Sequence, residues 1–278
     1  MSYLLERWSI PPSTFYYQKQ REIRSKDREI GEEIRALALR YPFYGYKKVT
    51  FLLRARGYRV NHKKVLRLWR EEGFNRCVFF KRRRQNRGKS KGFRGVMGSC
   101  KGELYAVDFI HDSLENGRRF RVFNVIDAYS RYVFPALVNF SLSGKDVAEH
   151  LEWIFREYGV LRVIRRDEGP EFKFKVFRRV IERWGIEEEV IPAGQPYNNG
   201  HIESFHRVLR RECLDREVFE DIVSARMRIN GWIERYNRDR VHSSLGYVVP
   251  EDIWRLRSED RDEVNNRGVQ EGGPKNRP

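Results

Sequence analysis

The sequence predicts an α/β protein, a mixed sheet flanked by helices with a small all-helical segment in front of it. Three observations predict this. Apolar residues recur at helical spacing in the first 75 residues, switch to alternating and continuous runs from residue 102, and return to helical spacing near the end. The positive charge is gathered at the front: residues 1–100 hold 26 Lys+Arg against 8 Asp+Glu, and the rest hold 30 against 31. Such asymmetry points to a polyanion gripped by one part of the chain, nucleic acid ahead of acidic membrane, while a near-neutral part does something else.

At 278 residues, 40% hydrophobic and 14% aromatic, the chain can fill a real core. No stretch approaches the roughly 20 apolar residues of a membrane span, and MSYLLERWSIPP lacks the apolar run of a secretory signal. A cytoplasmic protein with no membrane partner is therefore expected. Cys77, Cys100 and Cys213 form no CxxC pair, and the six histidines show no paired His/Cys spacing, so neither a disulfide framework nor a zinc requirement is expected.

In REIGEEIRALALR, residues 28–40, Ile30, Ile34, Leu37 and Leu39 repeat at helical spacing, and the helix should stop before Pro42. KKVTFLLRARGY carries an apolar stripe of Val49, Leu52 and Leu53, closed by Gly57. Asn61 should cap a third helix, HKKVLRLWREEG, with Val65, Leu66 and Trp69 inward. Short helices ending on a basic one suggest a helix-turn-helix, with Lys47, Lys48, Lys63, Lys64 and Arg67 as candidate DNA contacts. A solvated basic face on a helical bundle is the plainer alternative. Residues 76–101, with Arg82, Arg83 and Arg84, read as a flexible basic linker that tracks phosphates, or else as a localisation-like basic patch.

From residue 102, ELYAVDFIHD, RRFRVFNVIDAYS and RYVFPALVNF read as three strands, antiparallel across ENG and YS turns. A helix (SGKDVAEHLEWIFREYG), a strand (LRVIRRDEG), a helix (EFKFKVFRRVIERWG) and a strand (IEEEVIPAG) follow. After QPYNNG come the helices HIESFHRVLRRECLD and SARMRINGWIERYNRDR. The order βββαβαβ and then helix is that of the ribonuclease-H-like nucleotidyl transferases. The divisions expected are 1–75 helical and DNA-binding, 76–101 linker, 102–256 catalytic core, and 257–278 a polar, disordered tail.

Phosphodiester transfer by two divalent ions needs several carboxylates converging on ions roughly 3.5–4 Å apart. Asp108 interrupts an apolar strand, Asp167 stands where the fourth strand meets the turn DEGPEF, and Glu203 opens a helix 35 residues further on. Taken singly, each has an ordinary alternative: a turn or cap for the aspartates, and an i, i+4 pair with Arg207 for Glu203. Asp127 in IDAYSR is read as a turn residue. Asn199, His206, Arg207 and Arg210 lie on or near the Glu203 face and could steer phosphates or simply form a solvated polar face.

DFIHDSLENGRRFRVFNVIDAYSR, DEGPEF, PYNNGHIESFHRVLRRECL and YNRDRVHSSLGYVVPEDIW resemble the insertion-sequence transposases that share the retroviral-integrase core, specifically the OrfB type of the IS-three family. YPFYGYKKVTFLLRARGYRVNHKKVLRLWREEGF is similar to that family's helix-turn-helix segment. The resemblance implies that Asp108, Asp167 and Glu203 bind two Mg²⁺ ions, with Mn²⁺ as a substitute. It implies in-line attack, first by water to free a 3′-hydroxyl at the element's end, then by that hydroxyl on target DNA. It also implies a homo-oligomer on the element's terminal repeats, an upstream-frame OrfA-type partner or fusion, and a place at the prokaryotic nucleoid. Tyr105 stands where the family usually has Trp, and Glu168 where Asn or Gln follows the second Asp, adding a negative charge that would tighten ion binding or repel phosphate. The rival readings are a nuclease of the same core and a non-catalytic DNA-binding protein.

Overall fold

The computed structural model of the chain describes residues 12–74, 98–169, 172, 174–192 and 199–256, and contacts divide it into two units, residues 1–86 and 87–278. The expected linker at 76–101 falls almost wholly outside the described residues, as do Arg82, Arg83, Arg84 and the tail at 257–278. No helix among the described residues is long and apolar enough to cross a membrane.

In the first unit, α1 runs Pro12–Arg40, α2 Tyr46–Ala55 and α3 His62–Glu71. The helix expected at 28–40 thus begins 16 residues earlier. The added stretch lacks the apolar period that would reveal it, while Pro12, at its first position, has the fixed φ that suits a helix start. Asn61 caps α3, its side chain accepting from Lys64 N at 2.8 Å, and Gly57 closes α2 at φ +89°, a region open to glycine. Ile34, Leu37, Val49, Leu53, Val65 and Trp69 are all buried. Leu39 is instead 75% exposed, and Ala38 takes the inward place.

In the second unit, β1 (Leu104–Ser113), β2 (Arg119–Asp127) and β3 (Leu137–Asn139) precede α4 (Gly144–Tyr158), β4 (Val163–Arg166), α5 (Lys175–Arg183) and β5 (Glu187–Val190). Then come α6 (Gly200–Leu209), α7 (Ile222–Asp239) and α8 (Pro250–Arg255). The sheet order is β3-β2-β1-β4-β5, antiparallel on the β3 side and parallel on the β5 side. The third strand is shorter than RYVFPALVNF suggests, because Pro135 has no N–H to give a ladder; Val133 makes only an isolated bridge to Ile126.

Alternation along the strands separates two cores. Tyr105, Val107, Phe123 and Val125 pack with α4 and α5 on one face, while Ala106, Ile110, Val122 and Ile126 pack with α6 and α7 on the other. Ile202, Phe205 and Leu209 are all but fully buried in that second core. At about 2 kcal/mol each, they fix α6 in one rotational setting on the sheet, and that setting aims the polar residues between them.

Candidate functional site

Asp108 is the fifth residue of β1, on the α6 face between Ala106 and Ile110. β1 pairs with β4 only as far as Ala106 opposite Arg165. Carried two residues further, that parallel register sets Asp167, just past the end of β4, opposite Asp108. β1 runs on beyond its neighbour, so Asp108 lies at an open notch in the sheet, where α/β folds commonly place sites. Oδ1 of Asp167 accepts from Gly169 N at 3.0 Å, which shapes the turn, and its side chain is exposed. Glu203 stands in the first turn of α6 and is partly buried.

Burial chiefly, with the charges of Asp167 and Glu203 added to it, pushes the Asp108 carboxyl up to about 6, against a hydrogen bond from Phe109 N that lowers it. Burial likewise raises Glu203, with Arg207 opposing. Both other carboxylates therefore act on Asp108 through space. Among the described residues, no three His, Cys, Asp or Glu are grouped closely enough to hold a metal ion. The donor chemistry nevertheless fits a hard dication: three carboxylates whose mutual repulsion a positive charge would relieve.

His206, one turn beyond Glu203, is turned inward. Its Nδ1 lies 3.5 Å from Asp108 Oδ2, its Nε2 lies 3.0 Å from Asn124 Nδ2, and burial lowers its pKa to about 4, leaving the ring neutral. Asn199 is also buried, its Nδ2 3.5 Å from Val107 O. Arg210 donates to His111 O at 2.7 Å on β1. Of the four residues on or flanking α6 read as phosphate contacts, Arg207 alone is exposed.

In the first unit, Lys47 and Lys63 are exposed, and Lys48 lies 4.5 Å from the centre of the Tyr44 ring. Lys64 and Arg67 both close on Asp27 of α1, at 2.6 and 2.5 Å, and Arg67 also meets Glu71 at 2.9 Å.

Two residues near the site escaped the sequence reading. Asn124 is Asp108's direct partner across β1 and β2 and is fully buried; its signal was a lone amide inside the apolar run VFNVI. Arg166 donates from Nη1 to Asp167 O at 2.9 Å, and nothing in VIRRDEG distinguishes it from a surface arginine. Asp127, read as a turn residue, does hold the turn through Ser130 N and Oγ, at 2.7 and 2.6 Å. It is also fully buried and accepts from Gly102 N at 3.0 Å, tying the approach to β1 against the end of β2.

Comparison with known proteins gives this geometry a family. Residues 25–84 match the family described as HTH-like domain, and residues 98–196 and 184–250 match two described as integrase core domain. The 31.7 kDa protein of insertion element IS407 from Burkholderia multivorans is 33% identical over 76% of this chain and 75% of its own length. The chain belongs to the insertion-element transposases with an integrase core. The transposase of insertion sequence element IS904 from Lactococcus lactis is similar too, at 25% identity over 84% of this transposase-family chain and 96% of its own length. A chain of the simian T-cell lymphotropic virus intasome shares the fold, at TM-score 0.50 and 14% identity, covering 80% of this chain and 74% of that one. The ribonuclease-H-like sheet and the helical segment before it are those the sequence predicts.

Proposed function

We propose that this transposase cleaves DNA at the ends of its insertion element and joins the freed 3′-hydroxyl to a second duplex, with Asp108, Asp167 and Glu203 as the metal-binding triad. What supports the reading is the strand register, which carried onward sets Asp167 opposite Asp108 at the β1–β4 notch, together with the charges of Asp167 and Glu203, both of which disfavour the ionised form of Asp108. A divalent ion pair held there, Mg²⁺ or Mn²⁺, would neutralise phosphate charge and activate the attacking oxygen. The protein's own part is positioning. Asp108 sits on a rigid strand, Asp167 on a turn closed by Gly169, and Glu203 on a helix pinned by three buried side chains. No side chain needs to act as a nucleophile, so no covalent protein–DNA intermediate forms. Lys47, Lys63 and Arg207, exposed on α2, α3 and α6, are the cations best placed to meet phosphates. Pairing two element ends calls for more than one copy of the chain on the DNA.

The test is cleavage and joining of DNA that carries the element's ends, with and without divalent metal. Activity is expected with Mg²⁺ or Mn²⁺ only, and Asp167→Asn is expected to abolish it while DNA binding persists. Turnover in excess chelator, or an Asp167→Asn variant as active as the parent, would sink the mechanism; cutting without joining would mark a nuclease instead.

A further inference from the structure

Asp108 and Asn124 face each other across β1 and β2, and His206 lies over both from α6. Asn124 occupies a row otherwise filled by Val122 and Ile126, with none of its surface exposed, and its Oδ1 has no hydrogen-bond partner among the described residues. A buried amide left half-satisfied costs on the order of 1–3 kcal/mol, and an aliphatic side chain would avoid that cost. Packing therefore gives no reason for an asparagine here. Its other end does.

The Asn124 amide Nδ2 can only donate, so His206 Nε2, 3.0 Å away, accepts, and the one N–H of the neutral ring is left on Nδ1. Nδ1 lies 3.5 Å from Asp108 Oδ2. The second carboxylate oxygen, Oδ1, already accepts from Phe109 N at 2.7 Å. A small rotation of either side chain closes the longer gap into a hydrogen bond. Both oxygens of Asp108 would then be oriented, each keeping lone pairs free.

We propose that Asn124 and His206 form a positioning pair for Asp108: Asn124 sets the tautomer of His206, and the Nδ1–H of His206 fixes the plane in which the carboxylate is presented to a divalent cation. This rests on the reading of Asp108 as a cation ligand. Neither residue touches the cation or the DNA in this role. Outer partners of this kind tune metal affinity by about 10- to 100-fold.

The test is Mn²⁺ binding to the full chain without DNA, followed by the electron paramagnetic resonance signal of free Mn²⁺, with thermal melts of the metal-free proteins as folding controls. His206→Leu should weaken Mn²⁺ binding by about 10-fold or more, whereas His206→Asn, which keeps an N–H near the place of Nδ1, should bind close to the parent. Should His206→Leu fail to fold, Asn124→Val, suited to its apolar row, is expected to weaken binding in the same direction. The proposal is overturned if the folded variants lacking the donor bind Mn²⁺ like the parent, or if His206→Asn is as weak as His206→Leu. Asp108→Asn reports on the underlying reading separately. If it binds Mn²⁺ as the parent does, Asp108 is not a ligand and the positioning role falls with it.

Discussion

Arg166 holds the backbone of Asp167, donating from Nη1 to its carbonyl at 2.9 Å, while the same guanidinium meets Glu188 of β5 at 2.5 Å and lies over the rings of Phe172 and Phe177. One arginine thus ties the end of β4 to the edge strand and to the turn carrying the second aspartate. Arg166→Met keeps much of the apolar bulk but leaves Glu188 unpaired, a cost of about 3 kcal/mol for a largely buried pair. Urea denaturation should show that loss. Strand transfer, measured well below the melting temperature, should fall further than the unfolded fraction accounts for. An unchanged urea midpoint would rule out the brace.

The pairing of Lys64 and Arg67 with Asp27 makes a different prediction for the first unit. Asp27 is 15% exposed, and although its burial pulls the other way, hydrogen bonds from the two cations hold its carboxyl below the usual value near 3.8. A carboxyl depressed in the fold stabilises it above the unfolded pKa, and that contribution is lost as pH falls from about 4 downwards. Asp27→Asn should cost about 1 kcal/mol at neutral pH and flatten the acid limb of the stability curve. It also frees two cations and removes a negative charge, so DNA should bind more tightly and with a steeper salt dependence. Equal or weaker DNA binding at every salt concentration would show that Lys64 and Arg67 do not reach the duplex.

What the sequence shows and hides follows from how local each signal is. The bounds of α2 and α3 are written in adjacent residues, the apolar stripe, Asn61 and Gly57, and the structure places them accordingly. Asp108 is visible because a charge inside an apolar strand is costly and stands out. Asn124 interrupts its strand in the same way, yet its partner His206 lies 82 residues later, on a helix whose polar face looks solvated in sequence. Helical periodicity alone cannot tell that His206 turns to the sheet while Arg207 turns to water. Lys64 and Arg67 look like free cations because Asp27, which engages both, belongs to another helix.

Metal binding and stability should be linked at Asp108. Burial and two neighbouring carboxylates disfavour its charged form, so Asp108→Asn removes repulsion and should raise the melting temperature of the metal-free protein at pH 8, a common trade of stability against function. Mg²⁺ should raise the parent's melting temperature in a concentration-dependent way, as any ligand selective for the folded state does. The Asp108→Asn protein should show little of that shift. Equal Mg²⁺ shifts in the two proteins would place the bound ion elsewhere.

Beyond α6 the chain makes a π turn over Arg210–Leu214, with Asp215 N donating to Arg210 O at 2.8 Å. Glu212 in that turn meets Arg240, at the end of α7, at 2.6 Å, and the two side chains are only 10% and 12% exposed. Such widened turns are rare and need outside support, and here the support is ionic. Arg240→Met should cost about 3 kcal/mol, since it leaves a buried carboxylate to the more exposed Arg211. Glu212→Gln combined with Arg240→Met should recover part of the loss, giving a coupling energy of about 1–3 kcal/mol in a double-mutant cycle. Amide hydrogen exchange gives the location: protection should drop first at residues 210–215, the segment joining the Glu203 helix to α7. Additive losses, or uniform deprotection of the whole unit, would mean that the pair contributes only general stability and does not hold the turn.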